Sequence, residues 1–129
     1  VLGLMTGQQL EIINSDPTTH NVHPMPNVNR AFNAAQSPDA APVTHTFPQP
    51  EIMVPVKCNV HPWMRAYLNI VPHPFFAVTG SDGRFEIKGL PPGTYTIAAV
   101  QEDLGEQDAI ITVAPKETKT VDFSFSRSR

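Results

Sequence analysis

Glu51-Ile52-Met53-Val54-Pro55-Val56-Lys57-Cys58-Asn59-Val60-His61-Pro62-Trp63-Met64, followed by Arg65-Ala66-Tyr67-Leu68-Asn69-Ile70-Val71, is the stretch that decides the fold. Residues 51–58 read as a strand, with Ile52, Val54 and Val56 on one parity and Met53 on the other. Residues 66–71 read as the strand that returns into the sandwich. The loop between them begins at Cys58, the single cysteine of the chain, and holds His61 and Met64 at a C-x-x-H-x-x-M spacing. Pro62 stiffens that loop, because its ring fixes one backbone dihedral. Upstream, the turn signal Asn14-Ser15-Asp16-Pro17 runs directly into Thr18-Thr19-His20-Asn21-Val22-His23, a short strand that carries further imidazoles.

A thiolate, two imidazoles and a thioether form the His₂Cys set with a weak axial Met that marks a blue-copper electron-transfer site. The loop supplies three of these groups, and the second imidazole comes from the upstream segment. A lone cysteine is more often a small buried hydrophobe, and a histidine near prolines is more often a surface residue. The joint occurrence of C-x-x-H-x-x-M and a separate His-Asn-Val-His weighs against coincidence. Other chemistries fit less well. A structural zinc site takes four ligands from Cys and His and does not use Met. Haem attachment needs C-x-x-C-H. A Cys–His nucleophile wants a third group orienting the base. No phosphate-binding glycine loop and no H-E-x-x-H occurs.

The heptapeptide CNVHPWM, with Arg65 after it, resembles the ligand loop of the cupredoxins, most closely those of the amicyanin and plastocyanin type. The upstream His-Asn-Val-His is similar to the segment that supplies their first histidine. The resemblance covers residues 8–23 and 56–71 and implies one mononuclear copper held by His20, Cys58, His61 and Met64, with His23 outside the ligand set. It implies that Asn21 ties the histidine segment to the cysteine loop and that its backbone N–H reaches the sulfur. Asn59 stands where the family has a hydroxyl residue, which leaves open what Asn21 bonds to. By the same resemblance the loop histidine emerges through an apolar patch that meets a redox partner. Pro62, Trp63 and Met25 are the candidates for that patch here. Trp63 either lies exposed at the surface or folds down to shield the metal.

Proline accounts for 14 of 129 residues, about twice the usual ~5%, which points to an all-β chain with many turns. Net charge is −3 and the pI is near 5.9. Nucleic acid is therefore not expected as a partner, and no basic run suggests an anionic membrane. No transmembrane segment is visible. The opening Val1-Leu2-Gly3-Leu4-Met5 is an apolar run that reads as cut from something longer. Residues 8–14 read as a strand. Residues 24–50, rich in Pro, Asn, Ala and Gln, read as a long surface excursion with one short helix near residues 30–36. His45, His73 and Met53 are weaker metal candidates, better read as packing or surface residues.

After Pro72-His73-Pro74 the character changes. Ser81-Asp82-Gly83 predicts a hairpin turn between strands at 76–78 and 84–87. Gly89-Leu90-Pro91-Pro92-Gly93 leads into a strand over 94–100, and residues 109–113 and 119–125 alternate as two more. Glu102, Asp103, Glu106 and Asp108 form an acidic cluster read as solvated loop charge, and Arg127 and Arg129 read as a frayed terminus. Residues 79–95, TGSDGRFEIKGLPPGTY, resemble the carboxypeptidase regulatory-like, transthyretin-like β-sandwich. That resemblance implies a fold and no activity.

The expected architecture is all-β. A cupredoxin-like Greek-key sandwich, N-terminally incomplete at residues 1–71, packs against a small transthyretin-like sandwich at residues 72–129; the alternative is that the second half supplies the missing strands and the two halves form one merged sandwich. The expected function is a one-electron carrier and not an enzyme, since no acid or base stands beside an open coordination position. Its partner would be a cytochrome or an envelope complex, in the bacterial periplasm or another extracytoplasmic setting. The competing readings are a copper delivery or sensor protein, and a docking module of a larger envelope complex.

Overall fold

The computed structural model describes residues 1–127, which contain nine strands and no helix. They are β1 (Leu2–Met5), β2 (Gln9–Ile12), β3 (His20–Pro24), β4 (Ala34–Gln36), β5 (Val43–Thr46), β6 (Glu51–Lys57), β7 (Arg65–Val71), β8 (Gly93–Gln101) and β9 (Gly105–Val113). The chain is all-β. It divides into two compact units, Val1–Glu86 and Ile87–Arg129. The sequence alone puts the join at 71/72. Arg129, read as part of a frayed terminus, lies outside the described residues.

In the first unit five strands form a mixed sheet, ordered β1-β7-β6-β3-β4, and β2 pairs with β5 antiparallel. The opening apolar run is β1 and lies parallel to β7, Leu4 opposite Ile70. Alternation on β7 sends Leu68 and Ile70 inward and Tyr67 and Asn69 to the other face. They meet Leu4, Val54 and Phe47, with Leu10, Phe32 and Val56 packed against them. Phe47 and Ile70 are wholly buried. Burying a side chain of this size is worth about 1.5–3 kcal/mol, so these few residues hold the two layers together.

Two local readings change. The strand at 51–58 does not keep one parity, because a β-bulge between Glu51 and Val54 inserts an extra residue. Met53 takes the left-handed conformation there (φ 52°), and its N–H donates to Asn69 Oδ1 at 2.9 Å. Ile52 is consequently half exposed, while Val54 points into the core. The helix expected near residues 30–36 is absent. Residues 34–36 are instead β4, which pairs with β3 through His20–Gln36 and Asn21–Ala35. Tertiary pairing wins over weak helix propensity here. Gln36 is buried, and its amide donates to the Ile12 carbonyl at 2.9 Å.

The long excursion is pinned by one carboxylate. Glu51 accepts from the N–H groups of Asn27 (2.6 Å), Val28 (3.2 Å) and Asn29 (2.9 Å), and from the Asn29 carboxamide (3.0 Å). Burial pushes its pKa up, but these donors outweigh burial and hold it below the usual carboxylate value. Asn29 also bridges to the Gln49 backbone in both directions. A stretch without hydrophobic period thus gains order from polar closure.

In the second unit β8 and β9 pair over their whole length, Gly93 opposite Val113 through Gln101 opposite Gly105. Gln101 Oε1 accepts from Asp103 N–H and Leu104 N–H, both at 2.7 Å, and Gly105 (φ 86°) supplies the left-handed residue that a three-residue hairpin loop needs. The expected strands at 76–78, 84–87 and 119–125 are not formed. The turn at 80–84 does close, through Gly80 N–H to the Arg84 carbonyl and Gly83 N–H to the Gly80 carbonyl, both at 3.0 Å. Its arms are short and exposed, with Val78 50% and Phe85 37% accessible, and short arms without a third strand do not sustain a ladder.

Candidate metal centre

β6 ends at Lys57 and hands Cys58 to the loop. β3 begins at His20, one strand away in the same sheet. Antiparallel pairing of His23 with Lys57 and Pro24 with Val56 fixes that register. It therefore carries His20 to the end of the sheet where the 58–64 loop turns. Within the loop, Met64 N–H donates to the His61 carbonyl at 2.9 Å and closes a tight turn around Pro62 and Trp63.

Three donor atoms converge. Cys58 Sγ lies 3.7 Å from His20 Nδ1 and 3.7 Å from His61 Nδ1, and the two nitrogens are 3.1 Å apart. A point equidistant from all three lies about 2 Å from each, close to the usual lengths of metal bonds to imidazole nitrogen and thiolate sulfur. This is the one group of three or more His, Cys, Asp or Glu side chains with metal-binding spacing among the described residues. The two imidazoles face each other with ring centroids 4.7 Å apart.

The surroundings orient these atoms. His20 Nε2 donates to Asp16 Oδ2 at 2.7 Å. That bond fixes the tautomer and leaves Nδ1 as the free electron pair. A carboxylate behind a ligating histidine is a usual means of aiming the ring and raising its basicity. Asp16 belongs to the turn Asn14-Ser15-Asp16-Pro17, and the sequence reading used it only as a turn residue. Its position four residues before His20, on a reversing chain, was the available signal.

Asn21 is buried between the two segments. Its side-chain oxygen accepts from the backbone N–H of Asn59 and of Val60 (3.3 Å), and its amide donates to Asn33 Oδ1 at 2.8 Å. The partner of Asn21 is thus the loop backbone, which needs no hydroxyl at position 59. Asn59 uses its side-chain oxygen on His23 Nδ1 at 3.4 Å. His23 therefore stands outside the convergent triad.

Cys58 is 6% exposed. Burial pushes its thiol pKa up. The backbone N–H of Asn21, the His20 imidazole and the His61 N–H and imidazole pull it down more strongly, to about 6. His20 is raised in turn, first by Cys58 and then by Asp16. A thiolate is the form that binds metal, and the pocket holds Cys58 ready in that form near neutral pH.

Met64 is 39% exposed at the end of the loop. Trp63 is 74% exposed, with its ring edge-on to His61 at 5.2 Å between centroids. Of the two arrangements open for Trp63, it is at the surface. Pro62 is exposed beside it. Met25 is also exposed, but its N–H donates to the Pro55 carbonyl, level with a residue about 10 Å before Cys58 along the strand. His45 is packed between Phe32 (4.1 Å) and Phe47 (4.7 Å), where burial lowers its pKa. His73 Nδ1 accepts from Phe75 N–H at 3.1 Å. Neither belongs to the convergent group of His20, Cys58 and His61.

Residues 68–126 match the carboxypeptidase regulatory-like domain family. The match supports the transthyretin-like reading of the C-terminal part and covers a little under half of the chain. It starts within β7, whose partners β1 and β6 lie before it. Comparison with curated proteins and with solved structures gives no match. No helix of the described residues is long and apolar enough to cross a membrane.

Proposed function

We propose that the chain is a one-electron carrier holding a single copper ion between His20 Nδ1, Cys58 Sγ and His61 Nδ1, with Met64 as a weak fourth ligand. The observation that carries this reading is the triangle of two imidazole nitrogens and one sulfur, with sides of 3.1 to 3.7 Å. One soft thiolate and two imidazoles form the trigonal set that copper takes in electron-transfer sites. Copper bound there supplies a one-electron couple. The residues around it keep the geometry fixed in both oxidation states. Asp16 aims His20, the Asn21 side chain holds the loop backbone, and the Asn21 and His61 N–H groups stabilise charge on sulfur. The exposed Trp63 and Pro62 offer an apolar surface next to His61 for a redox partner. The reading carries with it a cytochrome or envelope complex as partner, an extracytoplasmic setting in the bacterial envelope, and no enzymatic activity.

Exposure of the loop favours a second reading, delivery of copper. Met64 and Trp63 both face solvent, and a metal intended for transfer leaves by such a route. Redox cycling separates the two. A carrier is bleached by ascorbate, recovers its colour on reoxidation and keeps its copper against a competing chelator. A delivery protein loses copper to the chelator at once in the reduced state. Met64→Leu in a carrier keeps the colour and raises the reduction potential, because a lost thioether donor disfavours Cu(II) more than Cu(I). An unchanged potential removes Met64 from the ligand set.

A further inference from the structure

Lys57 and Arg65 stand directly opposite each other on β6 and β7, and His23 stands opposite Lys57 on β3. Directly opposite residues on neighbouring strands share a face. Two charged side chains, Lys57 and Arg65, with the His23 imidazole beside them, therefore form a row across three strands, at the end where β6 delivers Cys58. Like charges in such a position destabilise a sheet unless something neutralises them. Nothing in the chain does so among the described residues. The ion pairs present there involve His20, Arg84 and Lys119. Glu51, the carboxylate on the same strand, is committed to Asn27, Val28 and Asn29.

The row borders an open pocket of about 440 Å³, lined by Lys57, Arg65, Tyr67 and Asn59, with Cys58 in its wall. An ammonium, a guanidinium, a phenol and a carboxamide are gathered there, and no acidic residue lines the space. Pro55 and Pro62 complete the lining, and the surface carries two fixed positive charges. Its volume falls within the range of small-molecule sites, about 300–1,000 Å³.

We propose that this pocket is a binding site for a small oxyanion, a molecule bearing a carboxylate or a phosphate. Arg65 offers the planar fork that pairs bidentately with either group, and Lys57 adds a point charge from the facing strand. The anion relieves the repulsion within the row, which gives the like-charged pairing a reason. The site stands on these residues alone and does not depend on which metal the neighbouring triad holds.

The test is an NMR titration of the ¹⁵N-labelled full chain under reducing conditions. Inorganic phosphate and succinate are added separately, with ionic strength held constant by sodium chloride. Saturable shifts are expected at the amides of Lys57, Cys58, Asn59, Arg65 and Tyr67. Lys57→Gln and Arg65→Gln should each weaken binding about tenfold and leave the rest of the spectrum in place. A third titration uses an oligoglutamate peptide, which separates a free molecule from an acidic chain. Saturation by phosphate or succinate supports the site. Shifts that do not saturate, or that persist unchanged in both glutamine variants, overturn it. Saturation by the peptide alone also overturns it and assigns the face to an acidic protein partner.

Discussion

The two units use β-structure in opposite ways. Around the 58–64 loop, side chains converge on points. Asn21 and Cys58 are buried, three donor atoms meet within 3.7 Å, and Asp16, Asn21 and His61 each hold one part of the set. In β8 and β9 the ladder is longer and more regular, but no residue after Ile70 is fully buried among the described residues. The regular region lies within the stretch that matches a known domain family, and the irregular one holds the convergent His20, Cys58 and His61 group. Regular pairing makes a fold detectable. A site needs departures from it, here a turn, a bulge and a loop, each positioned by specific polar bonds.

The largest expected contrast is at the proposed metal centre. Cys58→Ser should abolish metal binding at the triad, because a hydroxyl is a hard and weak ligand for copper, and should leave the far-UV circular dichroism of the sheets intact. Isothermal titration with Cu(I) under a chelator reads this. Full retention of affinity would mean that the triangle is a coincidence of packing.

Core truncation sharpens the comparison between the units. Phe47→Ala removes a wholly buried ring and should cost about 3–5 kcal/mol. Ile111→Ala, on the half-buried face of β9, should cost about 1 kcal/mol, the centre of the usual range for a point substitution. Urea denaturation of both variants gives the difference. Equal costs would show that the C-terminal hairpin carries a core of similar density.

Residues that orient the ligands should matter less than the ligands and more than the surface. Asp16→Asn and Asn21→Ala should each lower metal affinity by about 10–100-fold. His23→Ala should leave affinity unchanged, since His23 bonds to Asn59 and not to the triad. A loss at His23 that equals the loss at His20 would exchange their roles.

The smallest effect is the dependence on pH. Cys58 is depressed to about 6 from 9.0, so in the metal-free chain its thiolate adds stability that is complete above pH 9.0 and lost as pH falls through about 6. His20 is raised, so its contribution is complete below pH 6.5 and lost as pH rises through its folded value. Metal competes with both protons. Affinity should therefore start to fall as pH drops through the raised His20 value and fall more steeply below about pH 6. Titration calorimetry at several pH values checks the slope. A pH-independent affinity down to pH 5 would mean that neither proton is displaced.

Much of this was legible in the sequence, for reasons that can be traced. Cys58, His61 and His20 were visible because their spacing is set by chemistry and is local, apart from one strand-to-strand join. β6, β7, β8 and the end of β9 were visible because alternation is local too. The bulge at Met53 was not, since nothing in a strand's own sequence marks where its partner slips by one residue. Nor was β4, whose Ala34-Ala35-Gln36 has no strand preference and is held by pairing with His20 and Asn21. Asp16 was hidden in a turn motif whose second use appears only when the chain reverses onto His20. The strands expected at 76–78, 84–87 and 119–125 had the right pattern but lacked the pairing that turns a pattern into a ladder.

The most direct test of the account is the combined visible and electron paramagnetic resonance spectrum of the chain loaded with one equivalent of Cu(II). A trigonal site built on the Cys58 sulfur predicts an intense thiolate-to-copper band and narrow copper hyperfine splitting, both absent in Cys58→Ser. A weak, tetragonal Cu(II) spectrum unaffected by Cys58→Ser, or reduction of the metal with formation of a Cys58 disulfide dimer, would contradict it.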